Sequence, residues 1–238
     1  MTEALEKGIL DILRKTFATI DTIYLSQCES RGFNPETEPQ SRLIFPRRGR
    51  GEYNNGEYKE GKPNSPITRV SEQELRFAFI EQFIKKCGVD FPFFYAVETP
   101  TDKRYVFSTG DNTPRLAVLG QNGIKGKQEG TSGNFDVTIH DKKGNRVCWI
   151  EFKAGMPKPK DFSKDILKLN EEATKDCDCA FFIHLLLAAD KGTYKQIVKN
   201  RLKKPGRVRY FCHVLPDIEK CEKSGQTFSS LEEIKEKL

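Results

Sequence analysis

No apolar run in the sequence is long enough to cross a bilayer. The longest, Cys179 to Ala189, has 11 residues and includes His184, against the roughly 20 that a spanning helix needs. The first 20 residues alternate charged and apolar groups and lack the apolar centre of a secretory signal. The seven cysteines, at 28, 87, 148, 177, 179, 212 and 221, are odd in number and scattered. No two have the spacing of a zinc knuckle, and a disulfide framework does not suit the pattern. They are expected to be reduced thiols. A cytoplasmic protein with no membrane partner is the expectation.

Several catalytic signatures are also missing. The glycine-rich stretch 120–133 fails as a phosphate loop. Counting back five from Gly126 gives Gln121, and Gln128 stands where a hydroxyl should follow Lys127. There is no Gly-x-Ser-x-Gly elbow, and the three histidines are scattered.

What remains is a basic, phenylalanine-rich chain of 238 residues. Forty Lys and Arg against 34 Asp and Glu give a net charge of +6, and 17 Phe supply large core side chains. A basic balance suits a nucleic-acid partner without proving one. Thr2 is placed to cap a helix over about 3–20, with Leu5, Ile9, Ile12, Leu13 and Phe17 on one face. Residues 29–69 carry five prolines and read as a long loop. The loop holds Arg47, Arg48 and Arg50, either a solvated turn or a flap that contacts phosphates. Ser71 with Glu74 forms a capping-box pattern for a helix ending near Lys86.

Strands are expected over 91–99, 104–108 and 115–119, the first two joined as a hairpin. Further strands are expected over 134–140, 146–154, 179–187 and 207–215. Helices are expected over 161–173, 193–203 and 229–237. Helices alternating with apolar strands argue for an α/β fold around a mixed sheet. Residues 1–70 form an N-terminal helix and loop extension, and residues 71–238 the core with a C-terminal elaboration. Between 191 and 210 stand eight basic residues and no acid. Lys195, Lys199 and Lys203 are the candidates there for backbone contacts to nucleic acid, the alternative being a solvated helix face.

The informative segment is the pair of strands at 134–140 and 146–154. Side chains alternate along a strand, so Phe135, Val137 and Ile139 share one face and Asp136 and Thr138 the other. In the second strand Trp149, Glu151 and Lys153 share a face. A tight turn centred between Lys143 and Gly144 sets Asp136 opposite Glu151, and a turn one residue later sets it opposite Lys153. Both registers place the three charged side chains on one face. Two carboxylates facing across a hairpin have Cβ atoms about 5 Å apart and repel. Either Lys153 balances them as an ion pair or a divalent cation does. Magnesium takes oxygen ligands, often one or two carboxylates with water and substrate phosphate completing the shell.

Asp136, and fifteen positions on Glu151-Phe152-Lys153, resembles the signature of the PD-(D/E)XK nuclease superfamily. The order of elements over about 71–190 is similar too: a helix, three strands in a meander, a crossover helix and a further strand. Phe135 stands where the motif has Pro, and the segment 101–133 is an elaboration. The resemblance implies a restriction-endonuclease-like core with a central mixed β-sheet flanked by helices. It implies that Asp136 and Glu151 bind Mg²⁺, for which Mn²⁺ can substitute, and that Lys153 activates the attacking water or stabilises charge on the phosphate. Members often add a carboxylate from the first core helix. Glu81, set among Phe77, Ala78 and Ile84, is the favoured residue, while Glu74 has its capping role and Glu98 is a third candidate. The implied activity is metal-dependent hydrolysis of nucleic acid, with a DNA endonuclease acting on duplex DNA first, in restriction, defence or repair. A homodimer is natural if both strands are cut. A non-catalytic nucleic-acid-binding module and an interaction protein with an ion-paired hairpin surface are the competing readings.

Overall fold

The computed structural model describes residues 2–26, 43–45, 51–54, 57–60, 70–106, 115–116, 130–155, 157, 159–173, 179–187, 208–217, 220 and 222–228. Its elements are α1 (Thr2–Ser26), β1 (Gly51–Asn54), β2 (Glu57–Glu60), α2 (Glu72–Lys86), β3 (Phe94–Val106), β4 (Arg115–Leu116), β5 (Thr131–His140), β6 (Arg146–Ala154), α3 (Pro159–Glu172), β7 (Cys179–Leu186), β8 (Val208–Val214) and β9 (Gln226–Phe228). Seven strands form one sheet in the order β4-β3-β5-β6-β7-β8-β9. The sheet runs antiparallel through β3, β5 and β6, continues by way of α3 to the parallel strands β7 and β8, and adds antiparallel β9 beside β8. This is the mixed sheet flanked by helices that the pattern of elements predicts.

Strand alternation divides the core in two. From β6, Cys148, Ile150 and Phe152 face α1 and α2, and from β7, Phe181, Ile183 and Leu185 join them. Trp149, Ala180, Phe182 and Leu186 face the other way, against Phe162, Ile166 and Leu169 of α3. The apolar stripe of α1 (Leu5, Ile9, Ile12, Leu13, Phe17, Ile20) enters the first of these layers, and the helix runs six residues past the expected end at Ile20. Gly8 lets α1 approach Phe91, since a Cβ there would overlap the Phe91 ring. The far end of α1 is fixed by hydrogen bonds. Asp21 accepts from the Gly225 N–H at 2.8 Å and meets His213 Nε2 at 2.8 Å, while His213 Nδ1 meets the Thr227 hydroxyl at 2.8 Å. The His213 ring stacks on Phe17.

Three local expectations change. Residues 94–106 form one strand, not a hairpin, because both halves pair with β5 across a register shift between Pro100 and Arg104. Inside the expected loop, β1 and β2 pair antiparallel from Gly51↔Glu60 to Asn54↔Glu57, and the Asn-Gly that separates them in the sequence is a strong hairpin signal. Strand β9 has no counterpart in the sequence reading. The helices expected over 193–203 and 229–237 lie outside the described residues.

Candidate active site

Strands β5 and β6 pair Val137 with Ile150, Thr138 with Trp149 and Ile139 with Cys148. This is the register in which Asp136 falls opposite Glu151, but the ladder ends one pair before them. There the Asp136 side chain replaces the neighbouring strand, its Oδ2 accepting the Phe152 N–H at 2.7 Å. Next to it in β3, Glu98 adopts a positive φ of 49°. The alternation expected for Phe135, Val137 and Ile139 slips at this kink. Val137 and Ile139 pack towards α1 and α2, whereas Phe135 packs with Trp149 and Phe162 towards α3.

Glu151 and Lys153 follow Trp149 on the α3 side, and both are buried. Buried charges require partners, and α3 supplies them. Lys168 donates to Glu151, lies 3.0 Å from Asp165 Oδ1 and donates to the Asn134 carbonyl at 2.6 Å. Lys153 Nζ lies 2.9 Å from Asp165 Oδ2, an ion pair whose alignment leaves that oxygen without a hydrogen bond. It also meets Glu72 Oε2 at 3.4 Å and the Phe152 carbonyl at 3.1 Å. Arg76, one helical turn after Glu72, pairs with Glu98 and stands 3.8 Å from Asp136. Four carboxylates (Glu72, Asp136, Glu151, Asp165) therefore meet three cations (Arg76, Lys153, Lys168). Exposure is graded across the cluster. Glu151 and Asp165 are each 2% exposed, while the Asp136 and Glu72 side chains reach 20% and 44%. Solvent enters on the α2 side.

The electrostatics follow from this gradient. Burial first, then Asp165 and Asp136, pushes the Glu151 carboxyl well above its usual range against the pull of Lys168 and Lys153. Burial also raises Glu72. For Lys153, burial opposes the charge, but Asp165, Glu72 and Glu151 outweigh it and hold the ammonium above its ordinary value. Lys168 is raised in the same way by Glu151 and Asp165. Beside Lys153 in the sheet, His184 is buried between Gly155 O, 2.8 Å from its Nε2, and the Tyr210 hydroxyl, 3.1 Å from its Nδ1. Burial lowers its pKa to about 4, so it is neutral at ordinary pH.

The predicted residues thus separate. Asp136, Glu151 and Lys153 belong to one charge network. Glu81 does not join it: the residue pairs with Lys85 at 2.8 Å. Nine positions after Glu72, it lies roughly 13 Å further along α2 and about half a turn round. The helix carboxylate that reaches the network is Glu72. Glu74 is bonded to the Ser71 hydroxyl, and Glu98 touches the site's margin through Arg76. Arg47, Arg48, Arg50, Lys195, Lys199 and Lys203 lie outside the described residues. Asp165 and Lys168 escaped the sequence reading, although a signal exists. Each stands one position before an apolar residue (Ile166, Leu169) of the buried stripe of α3, where an unpaired charge is costly.

Among the described residues no three His, Cys, Asp or Glu side chains converge as a ready metal cage. Magnesium does not require one, since one or two carboxylates with water and phosphate suffice. The donor set fits such an ion in kind, with oxygen ligands only and four carboxylates against three cations.

No protein-family model matches the chain, and no curated protein matches it. Among solved structures, that of Pyrococcus furiosus SfsA in complex with Ca²⁺ is similar at 13% identity, over 76% of this chain and 68% of that chain, with a TM-score of 0.29. A likeness of that size carries no argument about function. No helix among the described residues is long and apolar enough to cross a membrane.

Proposed function

We propose that this chain is a metal-dependent phosphodiesterase of PD-(D/E)XK type that cuts nucleic acid, with duplex DNA as the leading substrate. The observation that carries the reading is the meeting of Asp136, Glu151 and Lys153 where β5 and β6 part, in a network richer in carboxylate than in cation and open to solvent at Asp136 and Glu72. The meander, crossover helix and parallel strand around these residues support it.

Asp136 and Glu151 would hold Mg²⁺, with Glu72 as the solvent-facing third carboxylate, and Mn²⁺ would substitute. The ion when bound supplies Lewis-acid polarisation of the phosphoryl group and a water of lowered pKa. Lys153 is an electrostatic group, not a base, because its carboxylate neighbours keep the ammonium charged. It is positioned to stabilise negative charge developing on the phosphate. Its longest contact, 3.4 Å to the half-exposed Glu72, is the one most readily exchanged for a phosphate oxygen. Neutral His184 holds the Gly155 carbonyl next to the strand end and adds no charge there.

A second reading has its own observation. Glu151 pairs with Lys168 and Lys153 with Asp165, the arrangement of a non-catalytic module whose charges only tie β6 to α3. Incubation with linear duplex DNA, single-stranded DNA and RNA, each with Mg²⁺ or Mn²⁺, separates the two. Turnover of any of them that Asp136→Ala abolishes supports the nuclease. Salt-sensitive binding without turnover supports the module.

A further inference from the structure

The geometry points to Lys168 as a built-in competitor of the divalent cation: it neutralises Glu151 in the metal-free protein, and a metal ion must displace it to reach that carboxylate. The inference rests on the reading of Glu151 as a metal ligand. It concerns a helix residue that the PD-(D/E)XK signature does not contain.

Lys168 is not a surface side chain that has fallen inwards. It is 4% exposed, and its ammonium stands 5.2 Å above the ring of Phe135. A lysine ammonium has three hydrogens to donate, and three acceptors surround this one: Glu151 Oε1, Asp165 Oδ1 and Asn134 O. Leaving Glu151 costs it one of the three. The other two, on α3 and β5, keep the side chain anchored and charged. Among the described residues Glu151 has no second cation at ion-pair distance. It is 2% exposed, and Lys168 is the cation it contacts. A buried carboxylate stripped of its partner is strongly unfavourable, so Lys168 can leave only as another cation arrives. Asp165 makes the exchange local, because its second oxygen already holds Lys153. Lys168 thereby sets the metal affinity of the site, and Lys153 is undisturbed.

The test is Mn²⁺ binding to the full chain without nucleic acid, read by the electron paramagnetic resonance of the free ion. Lys168→Met and Lys168→Gln are expected to bind Mn²⁺ about tenfold more tightly than wild type, within the usual range of coupling between two ligands. Adding Glu151→Gln to either variant removes the gain. Their melting temperatures fall without metal and recover on Mn²⁺ addition by more than that of wild type. Unchanged or weaker Mn²⁺ binding by the folded variants overturns the inference, as does absence of Mn²⁺ binding in every variant. If neither variant folds, the Lys168 Nζ resonance of wild type is followed by NMR during Mg²⁺ titration instead. It is expected to shift as the Glu151 contact is lost, and an unmoved resonance in the Mg²⁺-bound protein overturns the inference. Tighter Mn²⁺ binding in a protein that cuts nothing removes the nuclease reading and leaves this one. Mn²⁺-dependent cutting with unchanged affinity in the Lys168 variants does the reverse.

Discussion

Glu151 and Lys153 are buried charges that are unfavourable for stability unless paired, and the proposed phosphodiesterase would give both a chemical role. The buried charges of the network balance, Glu151 and Asp165 against Lys153 and Lys168, so the cost of neutralising a carboxylate depends on how many cations it serves: one for Glu151, two for Asp165. Glu151→Gln keeps an oxygen beside Lys168 and is expected to stay folded, with stability within about 1 kcal/mol of wild type, while losing turnover. Asp165→Asn leaves Lys153 and Lys168 sharing a neutral group and is expected to cost about 3 kcal/mol in denaturant unfolding. Lys153→Ala is expected to lower kcat by roughly 10²–10³, the scale of one lost electrostatic donor. His184 adds a pH dependence of definite sign. Its pKa falls from 6.5 in the unfolded chain to about 4 in the fold. The stability it contributes is complete above pH 6.5 and is lost as pH falls through about 4. The difference in unfolding free energy between wild type and His184→Gln should therefore shrink by up to about 3 kcal/mol between pH 7 and pH 4. A pH-independent difference would mean that His184 is not neutral in its pocket.

At the scale of elements, α1 is held by packing at one end and by hydrogen bonds at the other. Asp21→Ala leaves the half-buried Gly225 N–H and the buried His213 ring without an acceptor, which together cost about 2–3 kcal/mol. Gly8→Ala gains about 1 kcal/mol of helix propensity but must push back the Phe91 ring. Overpacking of a core costs about 1–3 kcal/mol, so net destabilisation is expected. Thermal melts of the two variants check both. Elements whose signal is local were legible in the sequence. Ser71 marks the start of α2, and alternation marks β6 and the face that Glu151 and Lys153 share, while the choice between the two registers for Asp136 comes from the structure. What was not legible depends on partners distant in the chain. Strand β3 reads as a hairpin because Pro100 and the polar residues after it look like a turn, whereas β5 pairs with both halves. Glu81 looked functional because apolar neighbours surround it in sequence, but helix geometry turns it away and brings Glu72 to the site instead. Asp165 and Lys168 acquire their role only when the crossover lays α3 over β6.

At the scale of the molecule, the sheet brings together acids from β5 and β6, a carboxylate from α2 and a counter-ion helix, α3, in a cluster that meets solvent at Asp136 and Glu72. The net charge of +6 gives the chain a general attraction for polyanions. If Arg47, Arg48 and Arg50 neutralise phosphates, replacing them with alanine should reduce the slope of log affinity against log salt by about 0.9 for each phosphate left without its cation. The most direct test of the central claim is the conversion of supercoiled plasmid to nicked or linear DNA. Wild type would be compared with Asp136→Ala and Lys153→Ala, each with Mg²⁺ and with EDTA. Wild type is expected to cut in Mg²⁺ and not in EDTA, and both variants to lose the activity. Equal cutting by all three proteins, or cutting that persists in EDTA, would contradict the claim.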